Sequence, residues 1–89
     1  MLEYRAAYHR DVATGWFMGE VLDFPGALSQ GRTLTSARRM LGDALREMAE
    51  SLLERGEPLP RPNPRLADKT ADVVEPIRLS IRVHSRAAP

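Results

Sequence analysis

Two periodicities divide this chain. From Leu2 to His9 the side chains alternate, with Leu2, Tyr4, Ala6 and Tyr8 on one side and Glu3, Arg5, Ala7 and His9 on the other. A period of two marks a half-buried strand. Arg10 to Gly15 (RDVATG) supplies turn chemistry, and Trp16 to Leu22 reads as a second strand paired with the first as a hairpin. Ala27 to Gln30 has room for a brief third strand before Gly31 breaks it. From Leu34 the spacing changes to threes and fours, through Ala37, Met40, Leu41, Ala44, Leu45, Met48, Ala49, Leu52 and Leu53. That stripe predicts one long amphipathic helix, capped at its start by Thr33 or Thr35 and ended by Gly56. Glu57 to Pro64 (EPLPRPNP) carries four prolines and is therefore an extended connection. Pro76 to Val83 alternates again, with Ile77, Leu79, Ile81 and Val83 on one face, and predicts a last strand.

The helix cannot keep its apolar stripe in water, so it must lie on the sheet. The order β-β-β-α-β then gives an α+β fold: a three-to-four-stranded, mainly antiparallel sheet covered on one face by one long helix. Residues 1–83 form the single domain and 84–89 a frayed tail. The other sheet face is left bare, and Trp16, Phe17 and Met18 put apolar side chains on both faces of the second strand. A bare apolar face predicts an interface, and hence an oligomer.

Composition narrows the chemistry. With 89 residues there is core enough for one domain only. Cysteine is absent, which removes disulfides, thiol nucleophiles and thiolate metal ligands. No apolar run is long enough to span a bilayer, and the first residues lack a basic-then-apolar leader, so a cytoplasmic setting is expected. Thirteen basic residues against twelve acidic ones give no global pull toward nucleic acid or anionic lipid. Metal-dependent hydrolysis needs several converging carboxylates, and only Glu3, Glu20 and Asp23 lie near strands, so no enzyme activity is expected. His9 and His84 share no ligand spacing with a third donor, so neither a metal nor another cofactor is expected.

The stretch Asp23 to Gly31 (DFPGALSQG) gathers a carboxylate, an aromatic ring and a Pro-Gly pair. It reads as a corner. Pro25 and Gly26 make a tight turn, Asp23 accepts hydrogen bonds from the turn's amides, and Phe24 anchors the loop to the core or to a partner. Gly31 and Thr33 end the strand and start the helix.

The run GWFMGEVLDFPGALSQGRTLTSA, Gly15 to Ala37, resembles the N-terminal domain of HicB-type antitoxins. The residues that carry the resemblance are the glycine and aromatics of the second strand, then Asp23, Pro25 and Gly26, then Gly31, Thr33 and Ala37. YRAAYHRD at the start and GEPLPRPNP after the helix are similar too. The resemblance implies a partial ribonuclease H-like fold. It also implies a protein that neutralises a small HicA-type messenger-RNA endonuclease by binding and masking it. Family members often carry a DNA-binding segment at the C-terminus, and six residues after the last strand have no room for one, so operator binding is not expected of this chain. Ala27 stands where the family often has cysteine.

For partner docking the residues singled out are Trp16, Met18, Glu20 and Phe24, because large amphipathic side chains concentrate binding energy. Arg32, Arg38, Arg39 and Arg46 are either a solvated helix face or a contact for an acidic partner or nucleic acid. The competing functional reading is a stand-alone homo-oligomer without a toxin, serving as a scaffold or nucleic-acid accessory.

Overall fold

Five elements follow in the expected order: β1 (Leu2–Arg10), β2 (Phe17–Val21), β3 (Leu28–Gly31), α1 (Leu34–Glu54) and β4 (Val73–Leu79). They belong to a computed structural model that describes residues 2–81. The strands form one sheet in the order β3-β2-β1-β4, antiparallel throughout. The tail at 84–89 and Val83 lie outside the described residues.

The period of two on β1 is realised as predicted. Tyr4, Ala6 and Tyr8 turn toward α1 and are fully shielded from water, with Val21, Phe24 and Leu79 beside them. On α1 the stripe supplies Ala37, Leu41, Leu45 and Ala49 to the same core. Tyr4, Tyr8, Phe24, Leu41 and Leu45 are the largest of these buried side chains, each worth about 1.5–3 kcal/mol of burial. Met40 and Leu53, also on the expected stripe, fall at its margins and remain about half exposed.

Helix ends follow from local chemistry. Thr33 is the N-cap, its hydroxyl accepting the Ser36 amide at 3.0 Å. At the other end the Gly56 amide donates to Leu53 O and the Glu57 amide to Leu52 O, the paired bonds of a Schellman motif.

Two expectations need correction. The last strand runs Val73–Leu79, not Pro76–Val83: it starts three residues earlier, and Ser80 and Ile81 lie beyond its end. Val73 and Val74 pair with Tyr8 and Ala7, where branched side chains suit a pleated surface. Pro76 is tolerated inside the strand because its partner Arg5 spends its own backbone bonds on the β2 side, with Asp23 and Leu22. The proline nitrogen therefore points away from β1, at the sheet edge. Second, the face opposite α1 is bare only in part: Met18 and Leu28, on the β2–β3 side of it, are exposed, whereas the β1 side is covered. The connection passes from Asn63, bonded to Asp23, to Asp68 beside His9 and then to Asp72, whose amide bonds Tyr8 O. It crosses that face, and Ala7, which points there, is fully buried.

Gly31 sets how closely α1 approaches the sheet. A Cβ at this position would stand 2.6 Å from the Ala37 nitrogen and 2.9 Å from the Ser36 carbonyl carbon. These are backbone atoms and cannot swing aside. Ser29 on the same strand donates its hydroxyl to Ala37 O at 3.0 Å, which fixes the same contact from the other direction.

Gly31→Ala is expected to destabilise the fold by roughly 2 kcal/mol or more, because α1 must lift from β3. Gly42 lies within α1, and a Cβ there would meet nothing within 4 Å. Gly42→Ala should stabilise by about 1 kcal/mol through helix propensity alone. Urea denaturation of the two variants checks both signs.

Candidate functional site

Val21 to Ala27 is built as a double turn that leads into β3. The Phe24 amide donates to Val21 O at 3.2 Å, and the Ala27 amide to Phe24 O at 3.2 Å. Pro25 occupies the first inner position of the second turn and Gly26 the next, with φ of 93°. That is the type II geometry, which excludes a side chain at the glycine. Phe24 points inward, only 1% exposed, and packs edge-on against the Tyr4 ring at 5.3 Å. Of the two roles expected for Phe24, the core is the one this geometry serves. Its ring is not offered to a partner.

Asp23 is the sole buried charged side chain among the described residues. Its Oδ1 accepts the Arg5 amide at 2.9 Å and its Oδ2 accepts the Asn63 amide at 2.8 Å. The expectation that it would serve its own turn is corrected here. One oxygen replaces the strand partner that β1 loses where β2 ends, and the other holds the proline-rich connection. Nearby, Tyr4 donates its hydroxyl to Pro60 O at 2.7 Å, a second tie to the same connection. Burial raises the Tyr4 phenol above its ordinary range, and the Asp23 carboxylate raises it further. Burial likewise pushes Tyr8 up to about 12, aided by Glu75 and opposed by Arg38. Both phenols stay neutral at physiological pH and serve as packing and donor groups.

The remaining residues singled out for docking sit on β2 and its approach. Trp16 is half-buried under the Arg32 guanidinium, 5.5 Å from the ring centre. Met18 is exposed beside it in sequence, and Glu20 is half-buried on the same face. Leu28 on β3, opposite Glu20, is 64% exposed. Met18 and Leu28, with Ser29, Gln30 and Met40, line a shallow groove of about 390 Å³ along β3. Leu28 and Met40 were not singled out from the sequence. Leu28 alternates with Ser29 and Gln30 on a strand too short to show a period, and Met40 reads as core until the helix is placed.

The arginines separate into different roles. Arg38 grips Glu75 through Nε at 2.6 Å and Nη2 at 2.9 Å, which ties α1 to β4. That pairing raises the Arg38 pKa further above its ordinary value. Arg46 pairs with Asp43 on the helix surface, and Arg39 is exposed.

His9 is not isolated, contrary to its reading in sequence. Its Nε2 lies 3.0 Å from Asp68 Oδ2, and Glu20 completes a group whose donor atoms all lie within 4.8 Å of one another. His84 lies outside the described residues.

No protein-family model matches this chain, and no curated protein sequence does. Solved structures do. The N-terminal domain of the Burkholderia pseudomallei antitoxin HicB superposes with a TM-score of 0.73 at 23% identity, covering 89% of this chain and 99% of that domain. The longer Burkholderia pseudomallei HicB gives a TM-score of 0.69 at 24% identity, covering 93% of this chain and 65% of that one. A chain from a HicA3–HicB3 toxin–antitoxin complex gives 0.64 at 22% identity, with 91% and 99% covered. The fold is therefore that of the HicB N-terminal domain, with its four-stranded antiparallel sheet and single helix.

Asp23→Asn is expected to cost about 1–3 kcal/mol, because an amide offers one acceptor where two backbone donors converge and aims its own donor at the other. The loss should appear in thermal denaturation, with the secondary-structure spectrum of the surviving folded state unchanged.

Proposed function

We propose that this chain is a HicB-like antitoxin domain that binds and masks a small HicA-type endonuclease by protein–protein contact, in the cytoplasm. The observation that carries the reading is the fold likeness over almost the whole length of a HicB N-terminal domain, joined to a chain of the same fold in a HicA3–HicB3 complex. Masking requires no chemistry from the antitoxin. What it requires is a preformed surface with anchor side chains, and this fold offers one in Met18, Leu28 and Met40 along β3, with Trp16 at the approach to β2.

The two sheet edges support the choice of surface. β4 carries Pro76, which has no amide proton, together with Arg78 and the Arg38–Glu75 ion pair. These features discourage strand addition. β3 reads Leu-Ser-Gln-Gly, without charge or proline. The Val21 amide bonds Ala27 O, so alternation along the ladder turns the backbone groups of Leu28 and Gln30 outward. A partner strand could add there, with Met18 and Leu28 supplying apolar contacts. The same open edge favours the second reading, a homo-oligomer in which another copy of the chain occupies it.

The test is binding of a catalytically inactive HicA-type protein encoded beside this chain's gene, measured by titration calorimetry. Leu28→Glu and Trp16→Ala should each weaken the complex roughly tenfold or more, about 1.4 kcal/mol, without unfolding the protein. Glu54→Gln at the exposed helix end should leave affinity unchanged. Absence of binding, with a concentration-dependent dimer in sedimentation that Leu28→Glu dissolves, would favour the homo-oligomer instead.

A further inference from the structure

We propose that His9, Glu20 and Asp68 form a binding site for a divalent transition-metal cation on the sheet face opposite α1. The three residues come from three separate segments: β1, β2 and the connection that crosses this face. His9 lies two positions along β1 from Ala7, the register partner of Glu20, so the imidazole and the carboxylate are diagonal neighbours on one face. Asp68 completes the group from the connection, and all three side chains are half-buried.

Each donor is prepared in a different way. Asp68 Oδ1 accepts the Thr70 amide at 2.9 Å and the Thr70 hydroxyl at 2.7 Å, which fixes the carboxylate and leaves Oδ2 aimed at His9. The Thr70 hydroxyl is also the main reason its pKa is held below the usual carboxylate range, so it is ionised at neutral pH. His9 presents Nε2 to Asp68 Oδ2 at 3.0 Å and to Thr70 Oγ1 at 3.2 Å. Glu20 has no hydrogen-bond or ion-pair partner among the described residues, although its carboxylate lies within 4.8 Å of both other donors.

Two carboxylates drawn together repel each other. A cation would offset that repulsion. Donor atoms around a shared transition metal sit about 2.0–2.2 Å from it, so rotations of the Glu20 and Asp68 side chains suffice to close the group. One nitrogen with carboxylate oxygens suits Zn²⁺, Mn²⁺ or Fe²⁺ better than Mg²⁺ or Ca²⁺, which prefer oxygen alone. The consequence is structural. The cation would staple the connection to β1 and β2, independently of any toxin.

Titration calorimetry of the untagged full-length chain with Zn²⁺ and with Mn²⁺ tests the site. One ion per chain is expected, with a rise in thermal midpoint when the metal is present. His9→Ala and Glu20→Gln should each weaken binding at least tenfold, whereas His84→Ala should not. Affinity should fall as the pH is lowered, because protons compete with the metal for its donor atoms. Glu20→Gln is the deciding variant, because a plain His9–Asp68 ion pair would leave metal response untouched by it. No binding, or binding lost only in His84→Ala, overturns the proposal.

Discussion

A single carboxylate holds three parts of this protein in register. Asp23 sits where β2 gives way to the Pro25–Gly26 turn, and its two oxygens take one amide from β1 and one from the connection after α1. A buried charge is tolerated only when its hydrogen-bonding capacity is filled, and here backbone donors fill it from both sides. The turn places Phe24 under Tyr4, and Tyr4 in turn donates to the connection at Pro60. Packing and hydrogen bonding therefore reinforce one another at this end of the sheet. The connection also packs Leu59 against the core, and these bonds fix its path beyond that contact.

That route shapes the surfaces left for binding. Because the connection crosses the face opposite α1, it covers Ala7 and brings Asp68 to His9. Apolar exposure remains on the β2–β3 side, at Met18 and Leu28 of the same face and at Met40 of α1. The opposite edge, β4, carries a proline and paired charges. One edge of the sheet is closed to strand addition and the other is open. A domain open at both edges would polymerise.

Much of the fold was legible because it is encoded locally. The alternation in β1, the three-and-four spacing of α1, the Thr33 cap and the glycine at the helix end each act within a few residues. The Asp-x-Pro-Gly turn was legible for the same reason. What could not be read depends on residues far apart in sequence. Asp23 and Asn63 are 40 positions apart, and His9 and Thr70 are 61 apart. Neither pairing has a local signature. The start of β4 was missed because Pro76 reads as a strand boundary, and only the pairing pattern of Arg5 shows why it is harmless within the strand. The cover over the β1 part of the sheet face was missed because a proline-rich connection carries no periodicity to reveal what it covers, while Met18 and Leu28 on the rest of that face are exposed as expected. Among candidate site residues, Trp16 and Met18 were reachable from composition, whereas Leu28 and Met40 required the sheet edge to be located first.

The dependence of the whole arrangement on Asp23 is open to direct measurement in the unmodified protein. Native-state amide hydrogen exchange reads the stability of each backbone donor separately. The Asn63 amide, although it lies in a proline-rich loop, should be protected to nearly the same free energy as the Arg5 amide on β1. Exchange of Asn63 at the rate of a free loop, with Arg5 still protected, would show that the carboxylate does not hold the connection and would contradict the account.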